Sequence, residues 1–255
     1  MINRNEIIEY LQRFSMEKPY VYAMWLEGAD GLGRVDEYSD IDFWFDVEKS
    51  YQEPFLWECL ETLNKLSPID SRVDEIRAEI AQSNIHLENT SEYLTLDICV
   101  QSHEIRGKEM TCYTRDDIAE LPFVLFDKKD IISFTEYDID VIKIKKALEK
   151  NKNKLRQMSR VVKYIKRGQY LETYMKYLEN VAEPLVEMAR LIYTPRNYEY
   201  GLCHISQHLP IETVRELEQF YRVTCLQDME ENLPKAERLF AEYENRLRKM
   251  YCLKT

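Results

Sequence analysis

Gly28-Ala29-Asp30-Gly31-Leu32-Gly33 and, four residues on, Tyr38-Ser39-Asp40-Ile41-Asp42 form the stretch on which the reading of this chain turns. Small residues at 28, 31 and 33 let backbone N–H groups come close to phosphate oxygens, as anion-binding nests do. Two aspartates one residue apart supply oxygen ligands of the kind a hard divalent cation takes. A turn that can wrap a phosphate, followed by carboxylates that can hold a metal, points to chemistry on phosphoryl-linked groups.

The neighbouring residues set this stretch between strands. Tyr20 to Leu26 is apolar and aromatic and ends at Gly28, which suits a buried strand entering a turn. From Asp40 to Val47 the chain alternates: Ile41, Phe43, Phe45 and Val47 on one side, Asp40, Asp42, Trp44 and Asp46 on the other. That is the period of a strand with one buried face. Asp40 and Asp42 thus share a face with Cα atoms about 6.6 Å apart, two residues of strand rise. Such a pair can ligate one cation, or two with one carboxylate bridging.

Glu92 to Val100 alternates in the same way, with Asp97 on the polar side. If it sits beside the first pair, a third carboxylate completes a magnesium site for in-line displacement at phosphorus. Asp97 is then a ligand and a candidate general base for an acceptor hydroxyl. Glu53 to Leu66 has helical spacing with Pro68 just past its end, and Phe123 to Phe126 reads as one more short strand.

From about residue 138 the pattern is helical. Leu178, Val181, Leu185, Met188 and Ile192 form one apolar stripe, and Phe240, Tyr243, Leu247 and Met250 another, which implies a bundle. Pro184 falls inside the first stripe and is expected to kink or interrupt it. The expected architecture is α+β, a small mixed sheet flanked by helices over residues 1–140, followed by a helical bundle over 141–255.

Charge divides along similar lines: residues 1–142 carry a net −18, residues 143–167 a net +10 and residues 168–255 a net −3. An acidic first part argues against nonspecific nucleic-acid binding, which depends on neutralising phosphates, and favours a cationic partner. No apolar run approaches the roughly 20 residues of a membrane span, and the charged start, Met1 to Glu6, is unlike a signal peptide. A cytoplasmic protein is expected. The six cysteines are scattered without Cys-x-x-Cys spacing and read as reduced thiols rather than metal ligands.

The glycine turn with Ser39-Asp40-Ile41-Asp42, and Asp97 on a later strand, resembles the signature of the DNA polymerase beta-like nucleotidyltransferase superfamily: Gly-Ser or Gly-Gly, about ten residues, then Asp-x-Asp or Asp-x-Glu. The size and the helical second half are similar to those of antibiotic nucleotidyltransferases, which adenylylate aminoglycosides or lincosamides. The resemblance implies metal-binding at Asp40, Asp42 and Asp97, and triphosphate contacts from Gly28, Ala29 and Ser39. It implies Mg2+, ATP or another NTP as donor, and a small-molecule hydroxyl, cationic in the aminoglycoside case, as acceptor. The sequence departs from the pattern at Ala29, where the family has a serine whose hydroxyl touches a phosphate.

Other candidates are weaker. Within the basic run, Lys163 and Arg167 lie four apart on one helix face and are the pair that would meet a triphosphate; the remainder reads as a solvated face. His204 and His208 have helical spacing, but Ile205 stands where a metalloprotease has glutamate, so they read as structural. Tyr170, Tyr174 and Tyr177 are candidates for an acceptor pocket. Glu172, Glu179 and Glu183 read as solvent-facing. Two alternatives stay open: an antitoxin-like enzyme of the same fold that adenylylates a protein, and a nucleotide-binding module with a degenerate site. The sequence leaves the oligomeric state, monomer or homodimer, undecided.

Overall fold

The computed structural model describes residues 1–106, 111–115 and 117–253. The chain divides into two compact units, Met1–Tyr137 and Asp138–Thr255.

The first unit is built on a mixed six-stranded sheet. Helix α1 (Arg4–Met16) opens it, started by a capping box in which Asn3 and Glu6 satisfy each other's backbone N–H groups. Strand β1 (Val21–Leu26), one helical turn α2 (Gly28–Gly31) and strand β2 (Ile41–Val47) follow, then helix α3 (Gln52–Leu66). A hairpin comes next, β3 (Ile69–Ile76) and β4 (Ile80–Leu87), and then β5 (Thr95–Ser102) with a short α4 (His103–Arg106). Strands β6 (Cys112–Thr114), β7 (Phe123–Asp127) and β8 (Ser133–Thr135) complete the unit. The sheet order is β3-β4-β5-β2-β1-β7, with β2 and β5 parallel and the other neighbours antiparallel; β6 and β8 form a separate parallel pair.

The alternation read in β2 sorts the two faces. Ile41, Phe43, Phe45 and Val47 join Leu96, Ile98 and Val100 of β5 in a fully buried core with Ile7 and Leu11 of α1 and Phe55, Leu56 and Leu63 of α3. On the opposite face Ala23 and Trp25 pack with Trp44 and Ile131, and the two indoles stack at 5.9 Å. This second face bears the aspartates.

The second unit is helical: α5 (Val141–Leu155), α6 (Ser159–Ile165), α7 (Tyr170–Tyr177), α8 (Glu183–Tyr193), α9 (Ile205–His208), α10 (Ile211–Tyr221) and α11 (Leu226–Met250). Val181, Leu185, Met188 and Ile192 are buried as their spacing requires, with Leu178 packed at the edge of the same core. The stripe is not one straight helix: a π-helical turn, Leu178–Ala182, precedes α8, and Pro184 stands in the first turn of α8. The widened turn suits a proline, whose missing N–H and ring a continuous α-helix would not accommodate. Phe240, Tyr243 and Leu247 of α11 are buried, while Met250 is about half exposed.

Arg190 of α8 is fully buried and organises the chain that comes after it. Its Nε donates to the carbonyl of Gly201 at 2.6 Å, one terminal nitrogen donates to the carbonyl of Cys203, and the other lies 3.4 Å from both Thr194 Oγ1 and His208 Nδ1. His208 is thereby a buried partner of an arginine, which fits its structural reading. Replacing Arg190 with Met, similar in length but unable to donate, leaves the part-buried carbonyls of Gly201 and Cys203 without this donor. The expected cost is about 1–2 kcal/mol, read as a lower urea midpoint.

Candidate functional site

Asp42 and Asp97 stand directly opposite each other in the parallel pairing of β2 and β5. Neighbouring strands lie about 4.8 Å apart, so the register alone brings both carboxylates to one place on the open face. Asp40 lies just before β2, on exposed chain. Glu27, at the end of β1, is fixed by Trp25 Nε1 at 3.0 Å and by a hydrogen bond from the Tyr113 hydroxyl. Its backbone N–H donates to the carbonyl of Asp42 at 3.1 Å, which ties the start of the glycine turn to β2.

Within the glycine turn Gly28–Gly31 form one turn of helix, α2, with Gly28 at a φ of +57°, and Gly33 follows it. Gly28 is needed for a second reason: a Cβ there would overlap the Asp42 carboxylate. The backbone of the turn and the Asp42 side chain therefore sit in direct contact. A Cβ on Gly31 would overlap the carbonyl oxygen of Leu121. Gly33 also has positive φ but faces open space, so only its backbone conformation calls for glycine.

The electrostatics are those of crowded acids. Burial pushes the Asp42 carboxyl up to about 7, and the nearby charges of Asp40, Asp97, Glu27 and Asp30 add to the shift. Asp97 is also raised, chiefly by burial; Gln82 opposes the shift, its Nε2 lying 2.8 Å from each carboxylate oxygen. Cys99, beside Asp97 on β5, is held as a thiol by burial and the same acids. Asp30 is paired with Arg4 of α1.

These donors fit a hard cation in kind: oxygen ligands only, with a half-buried carboxylate whose charge is opposed by its acidic neighbours. Among the described residues, however, no three His, Cys, Asp or Glu side chains stand together as a ready metal-binding group. Gln82 engages both oxygens of Asp97, and Asp40 precedes the strand. The described arrangement is an Asp42–Asp97 neighbourhood with Asp40 at its rim.

The other sequence candidates fall as follows. The Ser39 hydroxyl donates to Asp36 Oδ1 at 2.8 Å and accepts from the Asp36 N–H at 3.0 Å, a local turn rather than a free group facing a phosphate. Ala29 lies inside α2. Lys163 and Arg167 belong to the helical unit, where both stand about a ring's width from Tyr164, 5.9 and 5.8 Å to its centre. Much of the basic run is spent inside that unit: Lys150 pairs with Glu187, Lys152 with Glu244 and Lys154 with Glu183. Glu179 pairs with Lys176. Tyr177 is fully buried and accepts from Asn232, so it is core, whereas Tyr170 and Tyr174 stack on each other nearer the surface.

Sequence reading missed Gln82, Glu27 and Arg4. Glu27 had a visible signal, a carboxylate abutting the glycine turn. Gln82 and Arg4 had none, since their roles depend on the β4–β5 pairing and on where α1 docks.

No protein-family model and no curated protein matches the chain. Two solved structures align with it at low similarity. A nucleotidyltransferase-like protein from Exiguobacterium sibiricum 255-15 aligns at 11% identity over 96% of this chain and 76% of its own, with a TM-score of 0.35. A structure of the GLD-2/RNP-8 complex aligns at 10% identity over 88% of this chain, with a TM-score of 0.30; this chain spans 65% of that one. Likenesses this slight assign no activity, and the chemistry of the site rests on its own geometry.

That geometry has two measurable outcomes. Asp42 binds its proton more tightly folded than unfolded, so the metal-free protein loses stability as pH rises from about 4 toward 7. Asp42→Asn is expected to raise the melting temperature of metal-free protein above pH 7, with the gain vanishing below pH about 4. Gly31→Ala is expected to cost about 1–3 kcal/mol in chemical denaturation, because the added methyl meets a main-chain carbonyl.

Proposed function

We propose that the protein is a divalent-cation-dependent nucleotidyltransferase that moves a nucleoside monophosphate, AMP from ATP, onto a hydroxyl of a small molecule. The observation that carries this reading is the contact of the glycine turn with Asp42, and of Asp42 with Asp97 in register. One end of one sheet thus joins the backbone of the glycine turn to a pair of half-buried carboxylates. The motif spacing around Gly28 and Asp40-Ile41-Asp42 supports the same assignment.

In this reading Asp40 and Asp42 hold Mg2+, with Asp97 beside them. The metal supplies charge neutralisation for the triphosphate and the departing pyrophosphate. Gly28 and Ala29, in the first turn of α2, present backbone N–H groups that have no acceptor within the helix; these take the place of the serine hydroxyl that Ala29 lacks. Asp97, oriented by Gln82, aligns the acceptor hydroxyl and accepts its proton on a carboxylate oxygen. The helical unit is assigned to the acceptor. A cationic acceptor of aminoglycoside type suits the net −18 of residues 1–142, because a surface of one sign concentrates the other.

ATP binding measured by calorimetry is expected to require Mg2+ and to be abolished by Asp40→Ala or Asp42→Ala. Incubation with radiolabelled ATP, Mg2+ and a panel of aminoglycosides and lincosamides is expected to label a hydroxyl-bearing compound. Absence of binding by any NTP, with or without metal, overturns the enzymatic reading. Mg2+-dependent binding without transfer to any acceptor, including protein, supports a degenerate binding module instead.

A further inference from the structure

Arg4 is remote from Asp40 in sequence, yet its guanidinium spans the two ends of the loop between α2 and β2. Nε lies 3.3 Å from Asp30 Oδ1, and one terminal nitrogen meets Asp30 Oδ2. The other terminal nitrogen donates to the carbonyl of Ser39 at 2.9 Å. The pair is mostly buried, with 14% of the arginine side chain and 12% of the aspartate side chain exposed. A planar fork with several fixed donors can make all these contacts at once; an ammonium cannot.

The loop it spans is otherwise held by short-range contacts and one ring contact. Residues 33–38 are exposed; they are held by the N–H groups of Gly33 and Arg34 on the carbonyls of Asp30 and Ala29, by the Asp36–Ser39 turn with the Tyr38 N–H on Asp36 Oδ1, and by an edge contact of Tyr38 with Tyr93. Asp40 comes directly after the carbonyl that Arg4 holds and precedes the strand that would otherwise fix it. At the other end, Asp30 lies in the same helical turn as Gly28, whose lack of a side chain leaves room for Asp42. Without Arg4, Asp30 would add an unpaired charge where a polyphosphate is to sit.

We propose that Arg4 is a positioning residue for nucleotide binding: it sets Asp40 through the Ser39 carbonyl and cancels the charge of Asp30 in the phosphate-facing turn. The inference rests on the nucleotide-binding reading above and adds a residue outside the motif. Arg4 touches neither metal nor nucleotide, and it acts through its two partners.

The two roles separate by mutation. Arg4→Ala is expected to weaken Mg2+-dependent ATP binding about tenfold to a hundredfold, the usual range for residues that orient ligands. Adding Asp30→Asn to that variant restores part of the loss, because the repulsion goes while the Ser39 tether stays missing. Arg4→Lys keeps a positive charge but not the fork, and falls between wild type and Arg4→Ala. Calorimetry with ATP and Mg2+ on the full chain reads all three, and thermal melts report folding. A role confined to stability would lower the melting temperature of Arg4→Ala, leave ATP affinity within about twofold, and show no recovery with Asp30→Asn; that result overturns the proposal. If Arg4→Ala does not fold, Arg4→Lys decides, and wild-type affinity there overturns it too. Wild-type protein that binds no nucleotide removes the reading beneath the proposal, whereas binding by wild type and variants alike removes only the role of Arg4.

Discussion

Much of the first unit is arranged around one costly placement, the Asp42 carboxylate set into the sheet face with its charge opposed by four other acids. Drawing a charge partly out of water among like charges is unfavourable. The surrounding structure shows how the cost is contained. Gly28 gives up a side chain to make room, Gln82 holds Asp97 in place, and Arg4 neutralises Asp30. The protonation of Asp42 is pushed to about 7, so near neutral pH the carboxyl is only partly ionised.

The parallel pairing of β2 with β5 makes this placement possible. Every other neighbouring pair in the six-stranded sheet is antiparallel. The parallel register sets Asp42 beside Asp97 while Phe43 and Ile98, one residue further along each strand, go to the helix-covered core. Shifting the pairing by one residue would send the carboxylates into that core, so the apolar face protects the register of the polar one.

The alternation from Asp40 to Val47 and from Leu94 to Val100 carried the strands, their faces and the three aspartates into view from sequence alone. The apolar stripes of α8 and α11 did the same for the helical unit. What stayed hidden has physical causes. Strand β3, Ile-Asp-Ser-Arg-Val-Asp-Glu-Ile, buries none of its residues, so no periodicity marks it. Helix α1 was legible too, in its Asn3–Glu6 cap and in Ile7, Leu11 and Phe14 at helical spacing, but went unread. The need for glycine at 31 depends on Leu121, ninety residues away, and the work of Gln82 and Arg4 depends on tertiary neighbours. Local pattern reveals which side chains face the core, but not which polar groups meet on the other side.

Among the described residues, strand β3 ends the sheet with one edge unpaired, and a row of free main-chain donors and acceptors invites another strand to continue it. Asp70, Arg72, Asp74 and Glu75 line that strand, and the Arg72 side chain folds back onto Asp74 and the Trp57 ring. A second chain docking there would have to strip water from charges it could not match. The sheet can therefore stop growing at β3 without a covering helix, and the price of leaving that border open falls on charged residues rather than on the fold's interior.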